Sequence, residues 1–470
     1  MINLVKNELF KIFHKKSTYI VLGIIFLFMI LINYIYSSDA GYDNAAGVQE
    51  VYSSIDNLED ADKVYVKTDK KINELLNKYD EKSVQYYLAA NMLYDYVYNY
   101  YDAYYINKDN LKSAKKAYES AMQALDNNNW KYFAEEKLTE EKENTKNIEA
   151  MLVDKTLSQR EKNSLEEALF ISKESIKWLS FRIDNNIAYK YDYLNEAYDA
   201  VISNLTFLAR SKYKSFDESE KEAVDNGLKS YYENEYILKN KVDTNKSDTL
   251  RYGIINFYND YIFLILVFVI MISGSIMSEE FNKGTVKSLL ITPHTRKSIL
   301  LSKLITIMLM IIFGILITFV FELIIGGIFF GFDSLSIPVV NYDLNKNSLS
   351  VLNIFPYFLL ITICKVPYIF LSSLLAFSLS TILCNTAFSI AITFFGLITE
   401  SIINALALDY KIKFLNYFIT TNWNLSYFLF GGTSPYNISL FQSIRTCLIY
   451  ALIMIIISLY IFTRKNIKNI

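Results

Sequence analysis

The chain of 470 residues is 52 % hydrophobic and 16 % aromatic yet 20 % charged, with a formal net charge of −2. That mixture excludes both an ordinary soluble domain and a bundle of apolar helices throughout, because the average covers two unlike parts. About 40 of the 49 acids and about 29 of the 47 bases fall in residues 37–250, so a polar, acid-rich segment is inserted into an otherwise apolar chain.

In residues 1–16, Ile2, Val5, Leu9, Ile12 and Phe13 recur three or four apart, with Lys6, Asn7, Lys11 and His14 between them. This spacing predicts an amphipathic helix lying in the membrane interface. A basic flank that only sets topology would account for the lysines but not for the stripe. Residues 17–36 form the first span. The run from Thr18 to Tyr36 is uncharged and has the length of one crossing. No A-x-A cleavage site follows it, so it reads as a retained anchor and not a signal peptide.

Residues 37–255 read as an extracellular helical domain. The stretch 83–105 is dense in tyrosine, Glu135–Glu149 suits a solvated helix face, and Leu157–Leu179 is apolar at helical spacing. Asn127–Asn129 and Asp184–Asn186 mark turns. One echo is visible: Tyr94-Asp95-Tyr96 with Tyr101-Asp102-Ala103, then Tyr191-Asp192-Tyr193 with Tyr198-Asp199-Ala200. It admits two explanations, a duplicated helical hairpin or coincidence in tyrosine-rich sequence. The three cysteines, Cys364, Cys384 and Cys447, all lie outside this segment, so it must hold together by helix packing without disulfides.

Five more spans are predicted at 256–277, 304–331, 357–383, 387–406 and 444–463, giving an all-α integral membrane protein with six crossings. Between them lie a cytoplasmic loop at 278–303, an extracellular loop at 332–356, and an aromatic segment at 407–443 too broken to cross; residues 464–470 form a tail. Trp423, Tyr417 and Tyr427 suit the headgroup level, so 407–443 is either a re-entrant pair of short helices or an interfacial loop. Orientation follows from the basic residues of the short loops. Lys6, Lys11, Lys15 and Lys16, then Lys283, Lys287, Arg296, Lys297 and Lys303, then Arg464, Lys465 and Lys468 all fall on one side, which the positive-inside bias assigns to the cytoplasm. The expected location is a bacterial plasma membrane, with both termini cytoplasmic and the 37–255 domain outside.

Nothing in the chain suggests an enzyme. It has no G-x-x-x-x-G-K-[ST] phosphate loop, and its two histidines, His14 and His294, have no chemical partners in sequence. No cofactor, metal or nucleic-acid partner is expected for this chain.

The loop 278–303 carries Glu280, Gly284-Thr285, Leu289-Leu290, Pro293, Arg296, Ile299-Leu300 and Lys303. This series resembles the E-x-x-x-G-T-x-x-x-L-L-x-x-P-x-x-R-x-x-I-L-x-x-K pattern of ABC-2 exporter permeases, at every position of the pattern. The resemblance is strong over 255–330, moderate over 1–36 and 355–465, and absent for the 37–250 insert. It implies the membrane subunit of an ATP-driven exporter of peptides, antibiotics or lipid-like molecules. Two cytoplasmic ATPase subunits would bind ATP and Mg, and a second permease, identical or related, would complete the pore. The residues that would couple to the ATPase are Glu279, Glu280, Gly284, Thr285, Leu289, Leu290, Pro293 and Arg296. Physically, Gly284 permits a turn, Thr285 can cap a short helix reaching about Ile291, and Pro293 stops it. Val286, Leu289 and Leu290 would then lodge in a groove of the partner, while Arg296 and Lys297 anchor the next helix to headgroups.

Three ionisable residues fall inside the spans away from their first residues, where charge is costly: Glu322, Lys365 and Glu400. Either Lys365 neutralises one or both glutamates near a substrate path, or each reaches water by itself. A rival from another class is a membrane-anchored sensor or scaffold whose outer domain binds a ligand without transport.

Overall fold

The computed structural model describes residues 1–39, 59–217, 219–286, 293–410 and 412–464. Helices dominate. Two lead the chain, α1 (Ile2–Phe13) and α2 (Lys16–Asp39). Nine follow in the polar insert: α3 (Asp60–Lys78), α4 (Val84–Asn91), α5 (Tyr94–Tyr105), α6 (Leu111–Asp126), α7 (Trp130–Leu152), α8 (Gln159–Asp184), α9 (Tyr193–Ser203), α10 (Leu205–Tyr213) and α11 (Lys221–Asn240). After them come α12 (Leu250–Ile255), α13 (Phe257–Ser275), α14 (Ser278–Asn282), α15 (Arg296–Phe330), α16 (Ile354–Leu383), α17 (Thr386–Asp409) and α18 (Leu440–Arg464). The chain divides into one unit of Met1–Asp43 with Thr244–Ile470, and a second of Asn44–Asp243.

Six helices of the first unit are long and apolar enough to cross a membrane: Lys16–Ser38, Phe257–Asn282, Arg296–Phe330, Ile354–Leu383, Thr386–Asp409 and Leu440–Arg464. A helix meets its backbone groups internally, as hydrocarbon demands, with one interruption at Pro367 in the fourth span. The protein is therefore a multi-pass membrane protein. Span two is its centre, packing against α2, α15, α16 and α17 and burying Phe257, Tyr261, Ile265 and Val269 completely. Phe257 meets the Phe358 ring edge-on at 5.1 Å, and Phe358 stacks on Phe319 at 4.0 Å, so spans two, three and four interlock through aromatic rings.

Four expectations are corrected within this unit. The third span begins at Arg296, not 304, because Thr295 caps it by accepting a bond from the Ser298 amide at 3.2 Å; the end of the presumed loop, 296–303, is helix. The loop 332–356 contains an antiparallel hairpin, β1 (Val339–Asp343) with β2 (Ser348–Leu352), paired Val339 to Leu352 through Asp343 to Ser348. The buried stripe of α1 is Leu4, Glu8 and Ile12, packed on α15, whereas Ile2 is exposed. In the 407–443 segment two 3-10 turns, Lys413–Tyr417 and Leu425–Gly431, flank Trp423, which is buried and not placed at a surface, while Tyr417 stays exposed.

The second unit is helical among its described residues, with two cores. One gathers Leu88, Leu125, Trp130, Phe133 and Tyr189; the other gathers Trp178, Tyr198, Val201, Leu205 and Tyr231. Ser158 and Glu161 form a reciprocal capping box at the start of α8. Asn128 and Asn186 take φ of 54° in the two asparagine-marked turns. Arg182 is buried with its guanidinium between Tyr189 of one core at 4.0 Å and Tyr198 of the other at 3.7 Å. The echoed tyrosines differ in setting: Tyr94 opens α5, packed on α3 and α6, while Tyr191 precedes the Asp192 cap of α9, packed on α11.

Candidate functional site

Where α1, the end of span two and the start of span three meet, their charged residues form one cluster. Glu8 faces inward because it lies one turn from both Leu4 and Ile12 on the packed stripe of α1. Lys303, two turns into α15, is completely shut off from solvent. Its ammonium lies 2.8 Å from Glu8 Oε2 and 3.4 Å from Glu280 Oε1, and donates to the Ile276 carbonyl at 3.0 Å. Lys11 closes the ring, 3.1 Å from Glu8 Oε1 and 2.7 Å from Glu280 Oε1. Burial opposes the Lys11 charge, but the Glu280 and Glu8 carboxylates outweigh it and hold the ammonium above the ordinary lysine value. At the rim, Glu279 accepts from Lys15 at 2.7 Å and Lys283 at 3.3 Å.

The sequence-predicted coupling residues divide around this cluster. Glu279 and Glu280 are in it. The Thr285 hydroxyl donates to the Glu280 carboxylate, so this side chain is drawn to the cluster. Gly284 has φ of +67°, and no atom would meet an added Cβ within 4 Å; the position needs glycine for its backbone, not for space. Val286 is fully buried in the membrane unit's own core, which corrects its assignment to a partner-facing surface. Leu289 and Leu290 lie outside the described residues. Pro293 is exposed, just before the Thr295 cap. Arg296 donates to the carbonyls of Phe462 at 3.3 Å and Thr463 at 2.9 Å, the unsatisfied acceptors at the end of α18. That contact replaces the expected headgroup anchor. Two further hydroxyl contacts tie the site to spans four and five: the Ser278 amide donates to Ser380 Oγ at 2.9 Å, and Ser278 Oγ meets Thr386 Oγ1 at 2.6 Å.

The three intramembrane residues are not one group. Glu322 is fully buried; its Oε2 accepts from Asn33 Nδ2 at 3.1 Å, and that amide also lies 2.9 Å from the Tyr261 hydroxyl. Glu322 Oε1 has no hydrogen-bond partner among the described residues and abuts the Gly253 backbone, where a Cβ would collide with it. Lys365 and Glu400 do converge, on neighbouring residues: Lys365 Nζ donates to Asn424 Oδ1 at 3.0 Å, and Glu400 accepts from Trp423 Nε1 at 3.0 Å and the Tyr368 hydroxyl at 3.1 Å. Among the described residues no ion pair within 4 Å joins Lys365 to either glutamate, and the hydrogen bonds of Lys365 and Glu400 pin 423–424 to spans four and five.

Glu8 and Asn33 join these clusters without any signal that singles them out by spacing, while Lys303, expected as a cytoplasmic basic residue, and Trp423, expected at the headgroup level, are both buried. Two of the four left a trace in the sequence: Glu8 is the single acid of α1, and Lys303 interrupts the apolar run Ile299–Ile307.

The six spans and the polar clusters buried among them define a multi-pass helical membrane protein. Residues 220–468, more than half of the chain, match the family described as "Protein of unknown function (DUF2705)", and the chain belongs to that family. The match covers spans two to six and leaves most of the insert outside. Two proteins of Bacillus subtilis (strain 168) are similar. The uncharacterized protein YhcI is 24 % identical over 249 residues, 52 % of this chain and 79 % of that protein. The uncharacterized membrane protein YdbK is 23 % identical over 233 residues, 49 % of this chain and 89 % of that one. No solved structure matches.

Proposed function

We propose that this chain is the membrane-spanning subunit of an ATP-driven exporter, moved by a separate cytoplasmic ATPase through the segment 279–296. One observation carries the reading: buried Lys303, Glu8 and Glu280, closed on the open side by Lys11, bind α1, span two and span three into one knot at the start of that segment. Ion pairs shut off from water resist separation, because parting them leaves an uncompensated charge. A push on 283–295 therefore reaches three elements together, and Ser278 and Arg296 extend it to spans four, five and six. Two such subunits facing each other would enclose the path, and the ATPases would bind ATP and Mg. Peptides, antibiotics and lipid-like molecules are the cargo classes this reading favours; with peptide antibiotics as cargo, the outcome would be antimicrobial peptide resistance.

The second unit, a large separately cored helical insert, favours the one competing reading, a surface sensor or scaffold that needs no ATPase. Recovery of the tagged full-length chain from its host in mild detergent separates the two. Exporter assembly predicts a stoichiometric ATP-binding subunit, lost from a Gly284→Pro variant that keeps normal membrane levels. A chain recovered with no ATP-binding protein overturns the exporter reading.

A further inference from the structure

A cavity of about 760 Å³ opens between α1, the second half of span two and the start of span five, wholly within the membrane unit. Its volume is in the range of small-molecule sites, roughly 300–1,000 Å³. The lining changes chemistry along its length. At one end stand Lys11, Lys15, Lys283 and Thr285; at the other, Phe268, Met271, Ile272 and Ile390. On span two the apolar end at Phe268 and the charged end at Glu279 are separated by about 16 Å at helical rise. That is about half the ~30 Å hydrocarbon thickness of a bilayer, or one leaflet.

The charge at the polar end does not cancel. Lys11 on the lining and Lys303 behind it balance Glu8 and Glu280, whereas Lys15 and Lys283 share the one carboxylate of Glu279. One positive charge is left over beside low-dielectric protein, where an anion is favoured. Lys15 and Lys283 each spend a single bond on Glu279 and keep donors for another acceptor.

We propose that this cavity is a binding site for one anionic phospholipid of the leaflet in which α1 lies, with its phosphate between Lys15 and Lys283 and an acyl chain along Phe268, Met271 and Ile390. The length of the slot, its apolar floor and its single surplus charge each match that occupant. A second protein copy or a neutral amphiphile would satisfy the floor but leave the charge. The site stands apart from the exporter reading and holds whether or not an ATPase partner exists.

The test uses the full chain in neutral detergent. Thermal unfolding is followed while phosphatidylglycerol, phosphatidylcholine or inorganic phosphate is titrated in, and native mass spectrometry reads the lipids retained on purification. Phosphatidylglycerol is expected to raise the midpoint saturably and to be retained, phosphatidylcholine and phosphate to do neither. Lys15→Ala and Lys283→Ala should each weaken phosphatidylglycerol about fivefold, the factor for one basic group at a lipid surface. Ile390→Trp, which fills the apolar end without touching a charge, should abolish the shift. Equal effects of the two lipids, or a shift that survives in the variants, overturns the proposal. So does a shift reproduced by phosphate alone, which would mark an anion site without an amphiphile. The retained-lipid measurement on the unaltered protein decides the matter even if a variant does not fold.

Discussion

Replacing Lys303 by methionine removes the buried ammonium that Glu8 and Glu280 share, and it leaves the half-exposed Lys11 alone to balance two buried carboxylates. The expected loss is about 3 kcal/mol, the lower end for breaking a buried ion pair because one cation remains. Detergent-phase thermal unfolding measures it, and adding Glu8→Gln should restore part of it, giving a non-additive cycle. Glycines test the same level in another way. Gly284→Ala meets no neighbour and should cost only about 1–2 kcal/mol of left-handed backbone strain. At Gly253 the added methyl would overlap Glu322 Oε1, so Gly253→Ala should cost more, and Glu322→Ala, which removes the colliding atom, should rescue it. Sequence alone points to Glu280, Gly284 and Glu322 as unusual. It hides the burial of Glu8 and Lys303, because a charge near a span end looks the same whether it touches water or a buried partner on another helix. Only packing of Leu4, Glu8 and Ile12 onto α15 decides between them.

At the scale of elements, the spans were legible because a crossing is written in local composition: some twenty apolar residues with hardly a charge among them. Their ends were not. α15 starts eight residues before its apolar run because a Thr295 cap and the Arg296 contact to α18 carry the helix through charged sequence. The 339–352 hairpin has strands of five residues, VVNYD and SLSVL, too short to separate from loop by alternation. Trp423 was misplaced because its bond to Glu400 spans 23 residues and is not written locally. The insert offers an element-scale test, since its two cores and caps are self-contained and it has no cysteine. Residues 59–243 expressed alone should be helical by circular dichroism and unfold cooperatively, indifferent to reductant. Within it, burial holds the Asp199 carboxyl above its ordinary range, against the opposing pull of Arg182, Tyr87 and Lys137. The folded state thus binds this proton more tightly than the unfolded chain, so the group costs stability as pH rises through its folded value. Asp199→Asn should therefore raise the unfolding midpoint at pH 7, and the gain should vanish near pH 3, where both states are protonated. A gain that is undiminished at pH 3 would mean that the buried charge is not its origin.

For the whole molecule, the contacts of the membrane unit fix which chain segments share an end. Lys15 reaches Glu279, Lys11 reaches Glu280, and Arg296 reaches Thr463, so α1, the end of span two, the start of span three and the close of span six lie together. Six spans crossing once each require the same grouping, which is where the basic residues of the short loops also concentrate. With six crossings and the basic loops inside, the expectation is that the connection from span one to span two, and with it the insert, is reached from the outer side. Single cysteines put this to a measurement once Cys364, Cys384 and Cys447 are changed to serine. His294 and Lys190 are both exposed, one in the 279–296 segment and the other in the insert. A membrane-impermeant maleimide added to intact cells should modify Lys190→Cys and spare His294→Cys, which should react only after permeabilisation. The reverse pattern would turn the protein over, put 279–296 beyond the reach of any cytoplasmic ATPase, and leave the buried knot at Lys303 as a structural clasp with nothing to push on it.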